Sequence, residues 1–126
     1  MALFKKSKRN KPIQASSLQE IQQITAEGKP VFIDFWQTNC GPCQTMDGLV
    51  NELADEYKDS LNVVKVNVAN APDVVSQFRI MSTPTFVLLN DSKNSLRPRW
   101  RHSGLVKKDQ LSKLVEREGA VLASAN

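Results

Sequence analysis

Cysteine and histidine are scarce in this chain, and their scarcity excludes much. Among 126 residues there are two cysteines, Cys40 and Cys43, and one histidine, His102. A zinc site needs four ligands, which this set cannot supply alone, and a hydrolase built on Cys/His or Ser/His pairs has only one imidazole to draw on. No apolar run is longer than a few residues, so no transmembrane helix is expected, and MALFKKSKRNK at the N-terminus has no apolar stretch of the length a secretory signal needs. A cytoplasmic location is therefore expected. Apolar and charged fractions of 40% and 24% are ordinary for a folded chain of one domain, long enough to bury a core without a staple.

The net charge of +4 is unevenly placed. Lys5, Lys6, Lys8, Arg9 and Lys11 precede the first acidic residue, Glu20, leaving 12 of the 17 basic side chains against 13 acidic ones. The basicity belongs to a tail. Residues 1–11 are expected to form a basic flexible leader and residues 12–126 a single domain. With Phe4 as the only aromatic in the leader and no nucleic-acid motif, no specific nucleic-acid partner is expected.

Beyond the leader, strand and helix signals alternate. Pro12–Ala15 has the makings of an edge strand, and Ser17-Leu18-Gln19-Glu20 has the form of a capping box opening a helix with Leu18, Ile21 and Ile24 on one face. Gly28-Lys29-Pro30 stops it. Val31–Trp36, apolar except for Asp34, fits a central strand buried on both faces. From Pro42 to Lys58, apolar residues recur at three- and four-residue spacing, which predicts a long amphipathic helix. A strand over Leu61–Val68, a short helix over Pro72–Phe78 and a strand over Thr85–Asn90 follow. The alternation predicts βαβ units on a parallel sheet. Leu96, Pro98 and Trp100 then alternate with Arg97, Arg99 and Arg101, an edge strand with one apolar and one basic face; Gly104 ends it, and a closing helix carries Leu111, Leu114 and Val115, with Leu122 as a further candidate. The basic face is expected to discourage edge-to-edge association, in preference to recognising an acidic partner.

Cys40 falls just after a strand, at the mouth of a helix, and Cys43 one turn further in. The free N–H groups and positive dipole end of a helix favour a thiolate there, which makes Cys40 the expected attacking sulfur and Cys43 the thiol that resolves a mixed disulfide. Half of a zinc site, a structural disulfide and two inert core thiols are the competing readings. A disulfide closing so short a loop would add little constraint. Asp34 is the second anomaly. A carboxyl in an apolar strand is either paired or protonated part of the time, and near Cys43 it would serve as a general base, with Lys65 of the next strand as its expected partner.

Val31-Phe32-Ile33-Asp34-Phe35-Trp36, Cys40-Gly41-Pro42-Cys43 and Ile80-Met81-Ser82-Thr83-Pro84-Thr85-Phe86 together resemble the thioredoxin family, in order and spacing, from about Ile13 to Leu122. The resemblance implies an α/β thioredoxin fold, a central mixed five-stranded sheet flanked by four helices, in a monomer without a bound cofactor. It implies protein-disulfide reductase activity on disulfide-containing client proteins, with a thioredoxin reductase as electron donor. Cys40 is then the nucleophile, Cys43 the resolving thiol, Asp34 the buried base and Lys65 its charged neighbour. Trp36 packs beneath the site, and Gly41, Pro42, Thr83, a cis Pro84 and Gly104 border the client groove. The same resemblance leaves a dithiol oxidase or isomerase, or a non-catalytic binding module, as alternatives. Three positions depart from the family pattern. Asn39 and Gln44 stand where tryptophan and often lysine flank the cysteines, and Thr83 stands where isoleucine or valine is usual.

Overall fold

A computed structural model describes residues 10–91 and 95–124. The basic leader before Asn10 and positions 92–94 of the turn after Asn90 lie outside the described residues. Among the described residues, five strands form one sheet: β1 (Ile13–Gln14), β2 (Val31–Trp36), β3 (Asn62–Asn67), β4 (Thr85–Leu89) and β5 (Pro98–Ser103), in the order β1-β3-β2-β4-β5. Four helices accompany them: α1 (Leu18–Thr25), α2 (Gly41–Glu56), α3 (Pro72–Phe78) and α4 (Lys108–Arg117), with a 3₁₀ turn at Val68–Asn70.

The sheet is mixed, which corrects the parallel sheet expected from alternation. β1 and β2 run parallel to β3, but β4 is antiparallel to β2 and to β5. The connection through α3 returns the chain to the end of the sheet at which β3 stops. β3 ends opposite Trp36 and β4 starts opposite Phe35, at the same end of the sheet.

Two buried clusters lie on the two faces. Phe32, Met46, Val50, Leu53, Phe86 and Leu88 pack with Leu111, Leu114 and Val115 between the sheet and the helices α2 and α4. Ile21, Ile33, Phe35, Val64, Val74 and Phe78 form the opposite cluster, beneath α1 and α3. Each such side chain contributes about 1.5–3 kcal/mol on burial, enough to fix which face of β2 meets which helix pair. Because side chains alternate along a strand, Asp34 and Trp36 share the face of Phe32, the one that α2 covers.

Local signals hold with small differences. Ser17 caps α1 by accepting from the Glu20 N–H, and the Glu20 carboxylate accepts in return from the Ser16 N–H at 2.8 Å. Leu122 lies beyond α4 and is 59% exposed, because Gly119, at φ +107, ends the helix two residues after Arg117. The chain end returns to α2 through the Ala123 N–H and the Glu56 carbonyl, 2.7 Å apart. The basic face of β5 is divided. A register shift sets Arg99 off from the β4 ladder, where it binds Glu118 at 3.1 Å, while Arg101 donates to the carbonyls of Phe78 and Arg79 at the end of α3. Arg97 precedes β5 and is exposed.

Candidate functional site

The site forms where β2 hands over to α2. Gln37, Thr38 and Asn39 carry the chain out of the strand, and Asn39 turns it at φ +57, a left-handed conformation that asparagine tolerates better than a bulky residue. Asparagine at this position thus matches its backbone. Cys40 is the N-cap of α2, and its sulfur accepts from the Cys43 N–H at 3.2 Å. Pro42 in the first turn lacks a donor that the helix could not use there. Gly41 and Pro42 are both exposed over the cysteines.

Cys40 and Cys43 are joined as a disulfide, with Cα atoms 5.3 Å apart. Their exposures, 6% and 8%, do not distinguish an attacking from a resolving sulfur. Their surroundings differ. Cys40 sits at the helix mouth against Thr83, whose Oγ1 donates to its sulfur at 3.6 Å and whose carbonyl lies 3.7 Å from it, whereas Cys43 faces a cavity. The Thr83–Pro84 bond is cis, as the resemblance implied. Gly104, at φ +93, closes this side by donating its N–H to the Pro84 carbonyl at 2.8 Å. A Cβ there would meet open space, so the backbone angle is what calls for glycine.

The cavity, of about 520 Å³, brings Asp34 and Cys43 together with Trp36, Asp47 and Lys65. Asp34 is only 2% exposed, and its Oδ1 has no hydrogen-bond partner. Burial pushes its carboxyl from an ordinary 3.8 up to about 7; Lys65 opposes the rise and Asp47 adds to it. The expected pairing of Lys65 with Asp34 is corrected here. The two residues lie opposite each other in the β2–β3 ladder, yet the Lys65 ammonium is bound to Asp47 on α2 and lies 5.5 Å from the Trp36 ring. Asp47 did not stand out in the sequence. The signal was its place on α2 one turn after Cys43, which points it at the same space as Asp34. Trp36 is half-buried beside the site, and its Nε1 is buried with no hydrogen-bond partner in the structure.

Among the described residues, no group of three or more His, Cys, Asp or Glu could hold a metal ion. His102 is engaged elsewhere. It stacks on Trp100 with ring centroids 5.9 Å apart, and its Nε2 lies 2.9 Å from the Leu105 carbonyl.

A family model described as Thioredoxin matches residues 11–117. The chain belongs to the thioredoxin family. It is 40% identical over 72 residues to Thioredoxin 1 of Synechococcus elongatus, covering 57% of this chain and 67% of that one. It is 35% identical over 88 residues to the chloroplastic Thioredoxin Y1 of Arabidopsis thaliana, covering 70% of this chain and 49% of that one. Among solved structures, a mutant thioredoxin from Halobacterium salinarum superposes with a TM-score of 0.77 at 26% identity, over 90% of this chain and 95% of that one. This thioredoxin-family chain is a thiol-disulfide oxidoreductase whose redox centre is made of its own cysteines, with no cofactor required. No helix among the described residues is long and apolar enough to cross a membrane.

Proposed function

We propose that the chain reduces disulfides in client proteins through Cys40 and Cys43, keeping those clients in the dithiol form. The observation that carries this reading is the Cys40–Cys43 disulfide at the mouth of α2, with Asp34 on the cavity that Cys43 faces.

In the reduced chain, the helix terminus and the Cys43 N–H favour a Cys40 thiolate. That thiolate attacks one sulfur of a client disulfide, forming a Cys40–client bond and expelling the other client sulfur as a thiolate. The Cys43 thiol then passes its proton to the Asp34 carboxylate and attacks the Cys40 sulfur. The Cys40–client bond breaks, the Cys40–Cys43 disulfide forms, and the client leaves with both electrons as two thiolates, which become a dithiol by taking up the proton held on Asp34 and one from solvent. A carboxyl poised near neutrality suits this transfer, because a general base works best with a pKa close to the working pH.

Thr83, Pro84, Gly41, Pro42, Trp36 and Gly104 border the surface on which a client segment would lie, pairing with the Thr83 backbone as an added strand. A thioredoxin reductase supplies the electrons that reopen the disulfide. The working form is a cytoplasmic monomer, with residues 12–126 as its domain and residues 1–11 as a leader. A second reading, oxidase or isomerase, is favoured by the Thr83 hydroxyl on the Cys40 sulfur, since a donor there stabilises the reduced form and raises the potential. In a third, the fold serves as a binding module.

Reduction of insulin with dithiothreitol as electron source tests the leading reading. Rapid turnover that vanishes in Cys40→Ser supports the reductase. Partner binding that persists without either cysteine, in a chain with no turnover, would instead support a binding module.

A further inference from the structure

Lys65 has an anion directly across the ladder and is bound to a different one. Neighbouring strands lie about 4.8 Å apart, so Lys65 and Asp34, which are register partners on the face covered by α2, are close enough to pair. Lys65 is bound instead to Asp47, and the Asp34 carboxyl keeps an oxygen without a partner.

The position of the ion pair gives this choice a consequence. The cavity shared by Asp34 and Cys43 is backed by a second one, of about 460 Å³, lined by Asn10, Lys11, Pro12 and Asn51. Asp47 and Lys65 line both, so their ion pair forms the partition between the cysteine site and the N-terminal segment. That segment is tied to α2 by the Asn10 N–H, which donates to Asp55 at 3.0 Å, and by the Asn10 side chain, which donates to the Ala54 carbonyl at 3.3 Å.

We propose that Asp47 is a positioning residue for disulfide exchange: its carboxylate holds the Lys65 ammonium in the partition, so that the Asp34 carboxyl stays unpaired and faces the cavity shared with Cys43. The groups facing Asp34 are Lys65 from β3, and Asp47 and Cys43 from α2; β4 presents the apolar Phe86, and Lys11 of the N-terminal segment lies beyond the partition. When Asp47 is removed, Asp34 becomes the nearest anion open to Lys65. An ion-paired Asp34 carboxylate is a poorer acceptor for the Cys43 proton. The direct field of Asp47 acts in the same direction, since losing a neighbouring negative charge also favours the ionised carboxyl.

This inference rests on Asp34 serving as the proton acceptor, and the test separates the two. The Asp34 carboxyl is titrated by NMR in the full oxidised chain, for the wild type, Asp47→Ala, Asp47→Glu, Lys65→Met and the Lys65→Met/Asp47→Ala double variant. Alanine is a strong helix former at an α2 position, so folding is retained. Asp47→Ala is expected to move the Asp34 midpoint to lower pH by about one unit or more, and Asp47→Glu to restore it. In the Lys65→Met background the Asp47→Ala shift should fall below half, because no ammonium remains to be released. An unmoved midpoint in Asp47→Ala, no rescue by Asp47→Glu, or an undiminished shift without Lys65 would each overturn the proposal. Resolution of a Cys40 mixed disulfide, followed against pH in the same variants, reads the other link. A titration that moves while this rate profile stays fixed would leave Asp47 positioning Lys65 and remove Asp34 from the proton transfer.

Discussion

The Cys43 N–H points at the Cys40 sulfur from 3.2 Å, so a first-turn donor of α2 is spent on the residue that caps it. This contact distinguishes the surroundings of two cysteines of similar burial, and the proposed order of attack rests on it. Cys43→Ser is expected to accumulate mixed disulfides with clients through Cys40, because the resolving sulfur is gone. Cys40→Ser should trap none. Mass spectrometry of thiol-blocked complexes checks both, and mixed disulfides formed through Cys43 would reverse the order of attack.

Asp34 makes stability depend on pH. Its folded value of about 7 lies above the ordinary 3.8, so between about pH 4 and pH 7 the folded chain holds a proton that the unfolded chain gives up. Stability therefore falls as pH rises through that window, by roughly 4 kcal/mol at most. Asp34→Asn should remove this loss while leaving a buried amide poorly satisfied, for a net gain of about 1–3 kcal/mol at pH 8 and none at pH 4. Urea unfolding of the oxidised chain at the two pH values measures it.

Thr83 touches the Cys40 sulfur through its hydroxyl. A hydrogen bond to a charged group contributes about 1.5–3 kcal/mol, and 30 mV corresponds to about 1.4 kcal/mol for a two-electron couple. Thr83→Val, which keeps the shape and loses the donor, is expected to lower the reduction potential by about 30 mV or more. Equilibration against glutathione reads the change directly.

Arg101 supports the site from a distance. Its guanidinium holds the carbonyls of Phe78 and Arg79, where α3 ends with Arg79 in a left-handed conformation before the chain turns towards Thr83. Arg101→Ala is expected to cost about 1–3 kcal/mol in denaturant unfolding, whereas Arg97→Ala, at an exposed position, should stay within about 0.5 kcal/mol of wild type.

The fold was legible where a residue's local chemistry agrees with its tertiary place. The cap at Ser17, the buried run Val31–Trp36 and the proline start of α3 all lie where their chemistry puts them. The orientation of β4 was not legible from alternation, because it depends on the end of the sheet to which the connection through α3 returns, and periodicity carries no information about that. The resemblance supplied the mixed sheet that periodicity could not. At the site, the cysteine pair stood out because its residues and spacing are local. The partner of Lys65 did not, since the choice between Asp34 and Asp47 is made across β2, β3 and α2, and each carboxylate is plausible in one dimension. The arginine alternation of β5 misled for a related reason: Arg99 sits at a break in register and Arg101 reaches the end of α3, so sequence neighbours serve different elements.

The central claim is that Cys40 and Cys43 form a reducing couple, and its most direct test is the equilibrium potential of that pair against glutathione, measured beside the rate of insulin reduction. The account predicts a potential near the roughly −270 mV of thioredoxin, with rapid turnover. A potential near or above about −180 mV, in the range of isomerases and oxidases, would contradict the reductase reading.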